Sequence, residues 1–233
     1  VRAGLLALTV ASALDRELVV ELLGSELADR VCASALDAGV MVERRGQLEL
    51  HPLARSFLEE RGEQLRRDRA SDIAARCLDY YRDRRDWEAA FDVIARQGLS
   101  EQLESILLEA LDEFLDTARL TTIETWCVLA NQSGVTSPPF ELARAEVALR
   151  RGRFTEAQTS AEAASNETTQ AFRALAIAGR AAHLDSREEE ALAFYQRAAT
   201  AAETETESRE AAWGRLGCLI DLERPEAKAA LEQ

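Results

Sequence analysis

Two stretches of this chain repeat one arrangement of small residues at a fixed interval. Gly152-Arg-Phe-Thr-Glu-Ala157 is followed by Asp185-Ser-Arg-Glu-Glu-Glu-Ala191, and Ala157 and Ala191 lie 34 residues apart. In the first unit Ala145, Ala148, Ala157 and Ala164 fall at helical spacings. In the second the set is Gly179, Ala182, Ala191 and Ala198, with Tyr195 as a larger filler. Small residues at such positions let two paired helices approach closely, because the distance between axes is set by the side chains at the contact. A helix pair of this size cannot bury its apolar face alone, so it must stack on neighbours.

The 34-residue interval is that of tetratricopeptide repeats. Thr155-x-x-Gln158 and Ser186-x-x-Glu189 have the capping-box pattern and predict the starts of the second helices. A third, shorter unit holds Trp213, Leu216, Gly217, Glu226 and Ala227. Ala89 precedes Ala157 by two periods, although the unit between is degenerate. Upstream of the loop 131–139, which carries Gly134, Ser137 and two prolines, the pattern is helical but irregular. Ile73, Cys77, Tyr80 and Tyr81 share one helix face, then Trp87, Phe91 and Ile94, then Leu103 to Phe114. Thr121-x-x-Glu124 predicts one further capping box, before Trp126.

The first 66 residues read differently. An apolar stretch with Leu5, Leu6, Leu8 and Val10 precedes Asp15, which is placed to cap a helix over 16–23. A further helix over about 26–38 ends at Gly39. Val40 and Val42, a polar turn over 43–46, then Leu48 and Leu50 alternate as a hairpin does. Pro52 opens another helix, and the charged run from Glu59 to Asp68 is expected to be solvated. Helices followed by a hairpin are the order of a winged helix. The expected fold is therefore all-α with one small β-hairpin: a winged helix over 1–66, an irregular helical region over 67–136, and an α-α superhelix of tetratricopeptide-like repeats over 137–233.

Charge and motifs narrow the function. The net charge of −14 opposes a nucleic-acid surface, since phosphate binding rests on Lys and Arg. Residues 1–66 carry 8 basic and 11 acidic side chains, and the second helix there offers Glu26, Asp29 and Asp37 against Arg30. That is the wrong sign for a DNA-reading helix. No apolar run reaches the roughly 18 residues that span a bilayer, so no membrane is expected. Cys32, Cys77, Cys127 and Cys218 form no C-x-x-C pair and predict buried free thiols in a reducing cytoplasm. With two histidines, His51 and His183, and no P-loop, G-x-S-x-G or H-E-x-x-H pattern, neither catalysis nor a resident cofactor or metal is expected. Acidic clusters such as Glu188 to Glu190 are expected on a solvated helix face. His51 is expected to bond across the hairpin, and Trp87, Trp126 and Trp213 to pack in cores.

His51-Pro52-Leu53-Ala54-Arg55-Ser56-Phe57-Leu58 resembles the His-Pro-Leu-x-Arg-x-Phe-Leu segment of MalT-like, LuxR-type ATP-dependent transcriptional regulators of the STAND class. In that family the segment closes a winged helix that follows the nucleotide-binding domain, and a helical-repeat sensor comes next. The resemblance implies a cytoplasmic regulatory arm with a sensor for an inducer or protein partner, working with an ATPase domain that this sequence does not contain. The opening Val-Arg-Ala-Gly, unlike a start, suits a piece of a longer chain. A plain tetratricopeptide interaction scaffold is the alternative, and a DNA-binding winged helix a further one. In such repeats the first helix of each pair lines the concave face. Counting from Ala145 and Gly179 places Glu146, Arg150, Arg173, Arg180 and His183 on that groove. The basic ones among them would receive a carboxylate or an acidic peptide, unless they are held in surface ion pairs.

Overall fold

Asp15 sets the start of the N-terminal unit. In a computed structural model of the chain, which describes residues 1–62, 67–166 and 170–231, its carboxylate accepts the Leu18 N–H at 2.8 Å and caps the helix that follows. The chain is mostly helical and divides into two compact units, Val1–Ile106 and Leu107–Gln233.

The first unit begins with α1 (Arg2–Leu8), β1 (Leu14–Asp15), α2 (Arg16–Leu23) and α3 (Ser25–Asp37). It continues through β2 (Met41–Arg44), β3 (Gln47–Leu50), α4 (Pro52–Gly62), α5 (Arg67–Asp83) and α6 (Trp87–Gln97). The hairpin β2–β3 turns through Arg45 and Gly46, both at positive φ, as a two-residue loop requires. It gains a third strand that the sequence pattern does not signal: β1 pairs antiparallel with β3, Leu14 opposite Leu48, giving the order β1-β3-β2. Two residues are too few to display a period. Alternation puts Leu48 and Leu50 into the core, with Val31 and Ala35 of α3 also buried. Gly4 lets α1 lie against α3, because a Cβ there would stand 2.7 Å from Val31.

Helix α5 is tied to this unit by hydroxyls and cations. Tyr80 donates to the Asp15 carboxylate at 2.8 Å, and the Tyr81 hydroxyl meets the backbone of Ala13. Arg84 lies 3.6 Å over the Tyr80 ring and pairs with Glu17. The unit thus runs on to Ile106, past residue 66, where the sequence pattern changes. Of the charged run 59–68, residues 63–66 lie outside the described residues.

The helix α7 (Leu103–Asp116), which crosses the division, leads into α8 (Leu120–Gln132), and the break before Pro138 separates that from α9 (Pro138–Arg150). Then come α10 (Phe154–Ala164), α11 (Ala171–Leu184), α12 (Glu188–Ala201), α13 (Glu205–Asp221) and α14 (Glu226–Leu231). From α8 onward each helix packs on the next, and α11 also packs on α9 and α13. Every alanine expected at a close contact, from Ala145 to Ala198, is fully buried. Gly179 meets the Tyr195 ring, which would lie 3.1 Å from a Cβ. In the degenerate unit, α7 and α8 meet through the Phe114 and Trp126 rings, edge to face at 5.1 Å.

One turn recurs through both units. Arg85, Ala118, Gly152, Ser186 and Glu223 each have φ between 51° and 71°. The next residue's N–H reaches back five positions, from Asp86 to Tyr81, Arg119 to Phe114, Arg153 to Ala148, Arg187 to Ala182 and Arg224 to Leu219. This is a Schellman-type helix ending, here leading straight into a second helix. Only one of the five left-handed positions is glycine, which hides the turn from a search for glycines.

Three expected capping boxes do not form. Helices α8, α10 and α12 start at Arg119, Arg153 and Arg187 without a side-chain cap, so Thr121 and Thr155 fall inside helices and Ser186 takes the left-handed position. The preceding turn fixes where these helices start. The box that does form, Thr204 with Glu207, opens α13.

The close contact at Ala191 gives a direct test. Ala191→Leu should overpack it and cost about 1–3 kcal/mol, read as a fall in melting temperature. An unchanged melting temperature would remove Ala191 from the helix contact.

Candidate ligand groove

In the second unit a groove of about 420 Å³ is lined by α7, α9, α11 and α13. Four of the five residues expected on such a groove lie there: Glu146 and Arg150 from α9, Arg173 and Arg180 from α11. Both pairs are one helical turn or two apart, so each pair projects from one helix face. The fifth, His183, does not line it. Its Nε2 stands 2.6 Å from Asp221 and its ring packs against Gly217, so it joins α11 to α13 instead.

The groove is not a cationic one. Glu146, with 8 % of its side chain exposed, is the buried centre of the site. Arg150 pairs with it along α9, and Arg173 reaches its Oε1 at 2.8 Å from α11. Arg173 also holds Asp112 of α7 at 2.8 Å, and Arg180 holds Glu210 of α13 at 3.3 Å. Burial works against the Arg173 charge, but Glu146 and Asp112 outweigh it and hold the guanidinium above its ordinary value. Each groove arginine is thus already paired, which corrects the picture of basic side chains converging on open space. Three arginines meet four carboxylates: Asp112, Glu146, Glu207 and Glu210.

Among the described residues, no arginine holds the fourth carboxylate, Glu207. It accepts the backbone N–H groups of Glu203 at 2.8 Å and Thr204 at 3.0 Å, and these bonds depress its pKa. Phe172 and Ile177 add apolar lining. Sequence periodicity missed Asp112, Glu207 and Glu210, because α7 shows no regular spacing of small residues and α13, at 17 residues, is longer than α11, at 14. The Thr204-x-x-Glu207 pattern was the one available signal.

Other expected residues are placed elsewhere. The His51 ring accepts the Leu53 N–H at 3.3 Å, while its backbone N–H, not its ring, spans the hairpin to Val40. Trp87 and Trp126 are buried, but Trp213 is 67 % exposed, so the expected core role fails for it: its face of α13 has no covering helix among the described residues. All four cysteines are free and buried. Cys127, beside a second cavity of about 350 Å³, has its thiol pushed up to about 11 by burial, so it is protonated at neutral pH. Among the described residues no group of three or more His, Cys, Asp or Glu side chains is placed to hold a metal ion, and no helix is long and apolar enough to cross a membrane.

The chain matches no family model, no curated protein and no solved structure.

The thiols carry a pH prediction. Burial raises Cys77 to about 12 and Cys127 and Cys218 to about 11, so folding favours their neutral forms. Their contribution to stability is complete below the unfolded-state value of about 8.5 and is lost as pH rises through the folded values. The native chain should resist a thiol reagent at pH 8 and react fully in denaturant, and its melting temperature should fall with rising alkalinity. Rapid labelling of the native chain would contradict the burial of these thiols.

Proposed function

We propose that this chain is a non-catalytic sensor and relay module of a STAND-class transcriptional regulator. On this reading its helix pairs are tetratricopeptide-like repeats, and its groove receives an inducer or protein partner. Its N-terminal segment acts as a winged helix that passes the signal to an ATPase domain. The observation that carries the reading is the groove's system of ion pairs, which cross from α11 to α7, α9 and α13. A ligand that parts Arg173 or Arg180 from its carboxylate, by binding either member of the pair, breaks a tie between helices, so occupancy is coupled to helix spacing. The motif residues support the relay half. Arg55 donates to the carbonyls of Thr9 and Ala11, both at 3.0 Å, and so pins α4 to the end of α1.

DNA reading by the N-terminal segment is disfavoured by its surface. The exposed positions of α3 include Glu26, Asp29 and Asp37, with Arg30 as the one cation. A gel-shift or anisotropy titration should therefore find no duplex binding at about 150 mM salt, where long-range attraction is screened. Saturable, sequence-preferring binding would replace the relay reading with a DNA-binding one.

The groove is tested by Arg173→Ala with Arg180→Ala, assayed for partner or inducer response in the longest natural chain that carries this sequence. Response should be lost, because these arginines are the ties that couple occupancy to helix spacing. Because Arg173 supports a buried carboxylate, the same pair combined with Glu146→Gln removes the uncompensated charge and separates loss of binding from loss of folding. An undiminished response in a folded variant would put the sensing site elsewhere.

A further inference from the structure

Resting on the groove reading above, we propose that the partner is a basic protein segment and that Trp213 is its aromatic anchor. Glu210, Trp213, Gly217 and Ile220 follow one another at three- and four-residue steps, so they form one stripe along α13. The stripe starts in the groove wall at Glu210. Its next member is an indole two-thirds exposed, and Ile220 is also more than half exposed. Gly214 lies toward Tyr195 of α12, and within the stripe Gly217 lies toward His183 of α11 while Trp213 and Ile220 are exposed. Gly217 also adds no side chain of its own beside the indole.

Charge decides the partner. Residues 107–233 carry 22 acidic and 13 basic side chains. Within the groove the three arginines are paired, whereas Glu207 is held by backbone N–H groups. An acidic segment would have to displace carboxylates already in place. A Lys- or Arg-bearing segment meets Glu207, competes with the exposed Arg180 for Glu210, and finds an exposed indole one step along α13, whose face attracts a cation within about 6 Å of its centroid. Apolar side chains of the same segment cover Trp213 and Ile220.

Trp213 also reports on its own occupancy, because Trp87 and Trp126 are buried. The probe is a short synthetic peptide alternating Lys and Leu, with a Glu and Leu counterpart, titrated at about 150 mM salt. The Lys peptide should bind saturably and shift tryptophan emission to the blue, and the Glu peptide should do neither. Trp213→Ala should abolish the shift and, with a labelled peptide read by anisotropy, weaken binding by about tenfold or more, as should Glu207→Gln with Glu210→Gln. Glu188→Gln with Glu189→Gln, the same charge change on α12, should leave affinity unchanged.

Equal weakening by the α12 pair, no effect of Trp213→Ala, or no saturable binding of the Lys peptide would overturn the proposal. Selective binding of the Glu peptide, lost in Arg173→Ala with Arg180→Ala, would overturn it while leaving the groove reading standing. Self-association of the chain that Trp213→Ala abolishes would assign the stripe to a second copy and overturn it as well.

Discussion

Close approach of helices at small residues is the condition on which the second unit depends. Tyr195 on α12 shows how tight the condition is. Its ring packs against both Gly179 of α11 and Gly214 of α13, and a Cβ at Gly214 would stand 2.3 Å from it. One aromatic side chain thus touches two helices: Gly214 leaves no room for a Cβ beside it, and Gly179 leaves room only for a tight one. Fully buried alanines make the other contacts, so α9 to α13 stack on nearly smooth surfaces. Where small residues give way to Phe114 and Trp126, the helices meet through ring edges instead, and the repeat is no longer visible in the sequence.

The first unit is organised by polar ties rather than by a repeat. Asp15 serves twice, capping α2 through the Leu18 N–H and accepting the Tyr80 hydroxyl from α5. Burial and the neighbouring carboxylate both raise the Tyr80 pKa, so the phenol remains a donor throughout the neutral range. Arg76 adds a bond to the Leu22 carbonyl near the end of α2. The Arg76 bond satisfies a carbonyl at the end of α2 with a side chain of α5, and Tyr80 of α5 holds the carboxylate that caps its start.

The ion pairs of the groove join helices that the small residues bring near. Glu146 is buried enough that its charge must be matched, and Arg150 and Arg173 match it from two helices. At the rim Arg180 and Glu210 are both exposed, so their pair is worth roughly 0–1 kcal/mol, whereas Arg173 is part-buried and joins Asp112 to Glu146. A similar arrangement recurs outside the groove. Arg153 reaches Glu124 of α8, and Arg187 reaches Gln158 of α10, each across 29 residues.

The legible part of this chain was its local part. Asp15 as a cap, the hairpin with its polar turn, the break before Pro138 and the small residues 34 apart all follow from side-chain size, hydrogen-bonding groups and period, which act within a few residues. Four groove residues could be placed because they share helix faces with those small residues. What the sequence could not fix was set by neighbours distant along the chain. The helix starts at Arg119, Arg153 and Arg187 are dictated by the preceding helix endings, which override the Ser and Thr patterns beside them. Arg173 finds Glu146 from 27 residues away, turning an expected cationic site into a balanced one. Trp213 has the spacing of a core residue and is exposed, because burial depends on which face of α13 another helix covers, and only the packed structure decides that.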